Sequence, residues 1–161
     1  MSKGMSKKGL GFTLIEMLVV LAIMAMLAGA ARPLLELTVQ RTQEHELRAG
    51  LRQIRGALDA YKKAAEAGQI KLSPEDSGYP PTLQALVQGV PDIKSAEGRK
   101  LYFLRRLPRD PFAETSLPAA ESWATRAADS PPDDPQPGRD VFDVFSRSER
   151  RALDGTRYKD W

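Results

Sequence analysis

The chain has 161 residues, of which 42% are hydrophobic and 28% charged, and it has no cysteine. That length suits one domain with accessory segments, and the lack of cysteine excludes disulfides, zinc–thiolate centres and thiol nucleophiles. Three of the 24 basic residues are Lys3, Lys7 and Lys8, which account for the formal charge of +3 against 21 acidic residues; the remainder is balanced, so no basic face for nucleic acid is expected.

Apolar residues crowd the segment Phe12 to Ala31, FTLIEMLVVLAIMAMLAGAA, where Glu16 is the single charge. A helix of about 20 such residues matches the thickness of a bilayer core. A secretory signal has a shorter apolar stretch of roughly 7–15 residues before its cleavage site, although Ala28-Gly29-Ala30-Ala31 imitates such a site. Lysines precede the span and Arg32 follows it, which places the N-terminus in the cytoplasm and the bulk of the chain outside. Pro33 sits just past the span, where it weakens or kinks a helix.

Beyond Pro33 the apolar residues Leu47, Leu51, Ile54, Leu58 and Tyr61 recur in steps of four and three. This is one stripe of a helix, expected to run from about Phe12 to Ala67 with Gly68 as its stop. Arg48, Arg52, Gln53, Arg55 and Lys62 are read as its solvated face, and His45 as a solvated residue rather than a base. A loop follows at Ser73-Pro74 and Asp76-Ser77-Gly78. A short helix is expected next, capped by Thr82, stopped by Gly89 and packed through Leu83, Leu86 and Val87. Residues 101–107 are read as extended or as a turn. Ser122–Ala128 and Asp140–Ser146 read as strands, separated by the proline-rich loop Asp129–Gly138. Asp133-Asp134 within it is a solvated pair, not a catalytic one. The ring of Trp161 is expected to pack on the domain.

The run Lys7-Lys8-Gly9-Leu10-Gly11-Phe12-Thr13-Leu14-Ile15-Glu16 resembles the leader of type IV pilins and type II secretion pseudopilins. The resemblance implies cleavage between Gly11 and Phe12 by a membrane peptidase, followed by methylation of Phe12. The new amine would neutralise Glu16 of a neighbouring subunit, because an unpaired carboxylate in hydrocarbon costs about 3 kcal/mol and nothing nearby in the sequence offers it a partner. Tyr79-Pro80 with Thr82 and Leu86-Val87, then Leu107-Pro108-Arg109-Asp110-Pro111-Phe112, Asp143-Val144-Phe145-Ser146 and Trp161 are similar, in that order, to the major pseudopilins of type II secretion.

The resemblance implies an α+β, type IV pilin-like fold, in which a long N-terminal helix packs on a small domain with a short helix and a small antiparallel sheet. The implied organisation is a leader at 1–11, a transmembrane and assembly half-helix at 12–35, and a periplasmic domain at 36–161. Phe12, Glu16 and Pro33 would serve assembly, with Gly11 and Phe12 at the processing site. The implied partners are other copies of the chain, a prepilin peptidase, minor pseudopilins and an inner-membrane assembly platform, and the implied product is a periplasmic filament. Two alternatives remain: a type IV pilin or minor pseudopilin, and a single-span anchored periplasmic binding domain that does not assemble. The chain departs from the family pattern in three places. Phe112-Ala113 replaces Trp-Gly after Asp110-Pro111, the proline-rich loop is inserted, and Ser146-Arg147-Ser148-Glu149-Arg150-Arg151 replaces the family's calcium-binding loop. Calcium needs six to eight oxygen ligands, so three arginines argue against it; no cofactor is expected, and Arg150 paired with a carboxylate is the expected substitute. No histidine, cysteine or phosphate-loop constellation supports an enzyme.

Overall fold

The computed structural model describes residues 12–161, with the side chains of residues 30–34 outside the description. The leader at 1–11, with Gly11, lies outside the described residues. Helix α1 spans Leu14–Glu66 and continues through Pro33. It ends where the stripe predicted: Gly68 takes φ +69°, Gly68 N donates to Ala65 O at 2.9 Å and Gln69 N to Ala64 O at 3.0 Å. This pair of bonds satisfies the last carbonyls, and the left-handed turn it needs favours glycine.

Two compact units divide within α1, the first reaching Val39 and the second comprising Gln40–Trp161. In the first, every large apolar side chain from Phe12 to Leu27 is exposed. Among the described residues no helix is long and apolar enough to cross a membrane. The fully described apolar part of α1 ends at Gly29, short of the roughly 20 residues that a span requires. The expected span, 12–35, includes the five residues whose side chains are not described, and it rests on the sequence.

The second unit is built on the stripe. Leu47, Leu51, Ile54, Leu58 and Tyr61 are all buried, together with Leu83, Leu86, Leu104, Trp123, Val141, Val144 and Tyr158. Gly50 faces the same way and lets Trp123 lie against the helix, since a Cβ there would stand 3.2 Å from the indole. The solvated face is a different matter. Arg48, Arg52 and Gln53 are exposed, but Arg55 and Lys62 are half-buried because both reach other segments; Lys62 Nζ donates to Ser77 O at 2.8 Å.

Helix α2 is only Ala85–Gln88 and has Gln84, not Thr82, at its N-cap. Thr82 O accepts from Ala85 N at 3.2 Å and Leu83 O from Leu86 N at 3.3 Å. These tight i→i+3 turns, entered from Pro80-Pro81, delay the α-helical pattern, so the threonine never caps it. Gly89 stops α2 as expected, at φ +76°.

Strands β1 (Val90–Pro91) and β2 (Lys100–Leu101) form a two-residue antiparallel ladder that no sequence pattern announced. The second sheet pairs β3 (Trp123–Arg126) with β4 (Asp143–Ser146), Trp123 opposite Ser146. Both strands are shorter than expected. Beyond the bond from Phe142 N to Arg126 O, Ala127 N donates to Gln136 O of the proline-rich loop and Val141 N to Pro80 O, so the pairing stops there. The chain closes with a 3-10 turn at Tyr158–Asp160.

Candidate functional site

The start of α1 carries the chemistry the sequence pointed to. Thr13 precedes the first helical residue, and Glu16 is the third residue of the helix. Glu16 N donates to Thr13 Oγ1 and Thr13 N donates to Glu16 Oε2, both at 3.3 Å. This reciprocal pair is a capping box: each side chain satisfies an amide the helix start leaves free. It corrects two expectations, since the helix begins at Leu14 rather than Phe12, and Glu16 does have a partner in its own chain. The signal was present in Thr-x-x-Glu, obscured by the apolar run around it. Phe12, 73% exposed, stands immediately before the cap. A carboxylate accepts about four hydrogen bonds, so the single long bond from Thr13 leaves Glu16 able to meet a cation from outside. An anionic residue in the first turn also suits the positive end of the helix dipole.

A second cluster ties the C-terminal segment to α1. Tyr158 is fully buried; its hydroxyl accepts from Gln40 Nε2 and donates to Glu44 Oε1, both at 2.9 Å. Glu44 Oε1 also accepts from Leu153 N at 2.9 Å. Burial raises the Tyr158 pKa, with Gln40 opposing and Glu44 adding to the shift. Arg55 Nε pairs with Asp143 Oδ1 at 2.8 Å, while its Nη2 donates to Val144 O at 3.0 Å and Trp161 O at 2.8 Å. One guanidinium thus joins α1, β4 and the tail. Asp154 is held below the usual carboxylate range, first by the Thr156 hydroxyl, then by the Thr156 amide and Arg48.

Around the segment 146–160, the carboxylates hold cations of the chain itself. Lys159 Nζ reaches both oxygens of Glu149, at 3.0 and 3.1 Å. Arg157 pairs with Asp160 at 2.9 Å and Arg48 with Asp154 at 3.4 Å. Arg150, the expected substitute, is not the one that pairs: its guanidinium lies 5.3 Å from the Phe112 ring centroid. The ring offers the exposed guanidinium a negative face, and Phe112 is placed there by stacking on Tyr158 at 4.0 Å. Trp161 packs as expected, edge-on to Tyr158 at 5.1 Å, with Arg48 4.1 Å over its ring.

Behind this lies a buried polar hub. Asp110, Ser122 and Ser146 are each fully buried. Asp110 Oδ2 accepts from Ser146 Oγ at 2.6 Å, its Oδ1 accepts from Phe112 N at 2.8 Å, and its own amide donates to Ser122 Oγ at 3.1 Å. The hub fixes the 108–112 loop to the ends of both strands of the second sheet. His45 is exposed. Among the described residues no three histidine, aspartate or glutamate side chains converge.

Comparison with known proteins fits this arrangement. Residues 6–31 match the family model for the prokaryotic N-terminal methylation motif. The chain is 33% identical over 107 residues to the type II secretion system core protein G of Klebsiella pneumoniae, a match that covers 63% of this chain and 68% of that protein. No solved structure matches it. With the motif at its N-terminus, a long helix starting at the capped Thr13 and two small antiparallel sheets behind it, the chain belongs to the core protein G family of type II secretion, the major pseudopilins.

Proposed function

We propose that the chain is a structural subunit of a periplasmic pseudopilus that drives export of folded proteins, and that it is not an enzyme. It is made as a precursor, cut between Gly11 and Phe12, and methylated on Phe12. Its first unit anchors it in the bacterial inner membrane over residues 12–35, with the domain from residue 36 onward in the periplasm. The observation that carries this reading is the exposed apolar surface from Phe12 to Leu27, which begins at a methylation motif. Exposed apolar area of this extent needs lipid or other protein to cover it.

Cleavage would leave a cationic amine on Phe12, next to the helix cap, and methylation keeps an amine's charge. In its own chain that amine faces the positive end of the helix dipole, an unfavourable pairing. The free lone pairs of Glu16 in a neighbouring copy offer it a better partner and set the axial register between copies. Pro33 loosens α1 where packed copies need to adjust. The further partners are the prepilin peptidase, minor pseudopilins and an inner-membrane assembly platform. A reading without calcium is supported by Lys159, Arg157 and Arg48, which pair with carboxylates of the C-terminal segment.

Intact mass and an N-terminal fragment map of the chain extracted from its native membranes test the proposal. The expected product begins at methylated Phe12. A chain cut near Ala31, or uncut, lacks the amine that Glu16 needs and leaves a domain that does not assemble.

A further inference from the structure

Between α1 and the segment 103–106, a groove of about 740 Å³ is lined by Arg52, Gly56, Ala60, Phe103, Arg105 and Arg106, among others. The three arginines are exposed and, among the described residues, have neither an ion pair nor a hydrogen bond from their side chains. Three like charges converging on one groove create a potential that favours an anionic partner. It is open at Gly56: nothing lies within 4 Å of where a Cβ on that residue would be. A glycine inside a helix weakens it, and no contact in its own chain uses the room. Tyr102, 64% exposed, extends the apolar surface beside Phe103.

The chain itself carries a segment of complementary chemistry. The loop Asp129–Gly138, DSPPDDPQPG, has three aspartates, four prolines and no basic residue, and residues 131–134 are exposed. It is held in shape, with Gln136 N on Ser130 Oγ at 2.8 Å and Ser130 Oγ on Asp134 O at 3.2 Å, so docking it costs little ordering entropy. Among the described residues the Asp134 carboxylate accepts only from Gln136 Nε2, at 2.8 Å. In its own chain the loop borders a different cavity, whose cations are committed elsewhere: Arg55 to Asp143, Arg126 to the Phe142 ring and Arg147 to Trp123 O. Proline-rich segments bind grooves with aromatic walls because their backbone is already extended and their rings are apolar.

We infer that the groove receives the acidic, proline-rich loop of a second copy of this chain. The inference rests on the assembly reading above and identifies one of its contacts. Groove and loop are different surfaces of one subunit, so the contact is heterologous and continues from copy to copy, as a filament requires.

The chain has no cysteine, so cross-links can be placed cleanly. Ala60→Cys and Asp133→Cys are made in separate full-length copies, co-expressed and oxidised in membranes, while filaments are assayed in parallel by shearing and pelleting. A mixed disulfide dimer is expected. Its yield falls about tenfold when the groove copy also carries Arg105→Glu and Arg106→Glu, and recovers with Asp134→Lys in the loop copy. Gly56→Leu in the groove copy lowers the yield similarly without lowering the melting temperature, which separates blocking of the groove from misfolding. Filaments without the mixed dimer overturn this inference and leave the assembly reading standing. Neither filaments nor dimer overturns both. A disulfide formed only within one chain carrying both cysteines also overturns it.

Discussion

Replacing Asp110 with alanine removes both acceptors of a fully buried carboxylate and leaves two donors behind. Ser146 Oγ–H and Phe112 N–H, now 2.6 and 2.8 Å from Asp110, would face a hole with no oxygen in it. A buried donor left without a partner costs about 1–3 kcal/mol, and bonds to a charged acceptor lie toward the upper end. The two together give about 3–5 kcal/mol, a large part of the roughly 5–15 kcal/mol that holds a domain folded. Asp110→Asn keeps one acceptor and the shape, and should cost about 1–2 kcal/mol. Ser146→Ala and the double variant complete a cycle whose coupling should be about 1.5–3 kcal/mol, because the two groups touch. The assay is urea unfolding of the full chain in detergent, followed by Trp123 fluorescence in a Trp161→Phe background. Trp123 reports well because it is buried and its Nε1 donates to Pro108 O at 2.9 Å, beside the hub. An alanine variant within about 0.5 kcal/mol of the parent, the range of ordinary surface changes, would refute the claim that this carboxylate joins the loop to the strands.

Gly50→Ala should destabilise the same domain by about 1 kcal/mol: overpacking against Trp123 costs about 1–3 kcal/mol and the helix regains up to about 1, and a rise in urea midpoint would contradict it. Arg55→Lys loses the fork that spans Asp143, Val144 O and Trp161 O, and should cost about 1–2 kcal/mol in the same assay. The Tyr61, Tyr79 and Tyr158 pKa values are all raised, chiefly by burial. A raised folded value means stability fully present below pH 10 and lost as pH rises through the folded values; Tyr158→Phe should flatten that alkaline loss, and an unchanged alkaline melting curve would count against it. Adding calcium in place of a chelator should leave the melting temperature within about 1 °C, since the chain's own cations hold the loop carboxylates; a rise of several degrees would show that calcium displaces them.

What could be read from the sequence depended on how local the cause was. The stripe Leu47–Tyr61 was legible because one helix writes its period into consecutive turns, and Gly68 because a left-handed stop needs a particular residue. The β1–β2 ladder was not, since two residues carry no period and only Gly89 and the turn beyond Pro91 bring them together. Thr82 looked like a cap by type alone, and the tight turns after Pro80-Pro81 decided otherwise. Contacts such as Gln40 with Tyr158, 118 positions apart, leave no trace in either neighbourhood. Arg55 lies on the polar side of the stripe, where spacing alone reads as solvated, although a long side chain at the edge of a helix face can turn toward whatever packs there.

The arginine-rich C-terminal segment shows the same limit from the other direction. Its composition pointed to a cation in place of an ion, but not to which one. The position is decided by Phe112, which stacks on Tyr158 and takes Arg150 onto its free face. With Arg150 so occupied, Glu149 is left to Lys159, ten residues on, and Arg48 serves both Asp154 and the Trp161 ring. A single divalent ion would draw several carboxylates to one point. Several monovalent side chains spread them instead, each pair near the surface contributing only about 0–1 kcal/mol. The segment is therefore held mainly by what the pairs surround: the buried Tyr158 hydroxyl between Gln40 and Glu44, and the aromatic stack of Phe112, Tyr158 and Trp161. In this chain the aromatic rings and the α1 side chains supply the order that an ion would otherwise impose, and the exposed charges align around them.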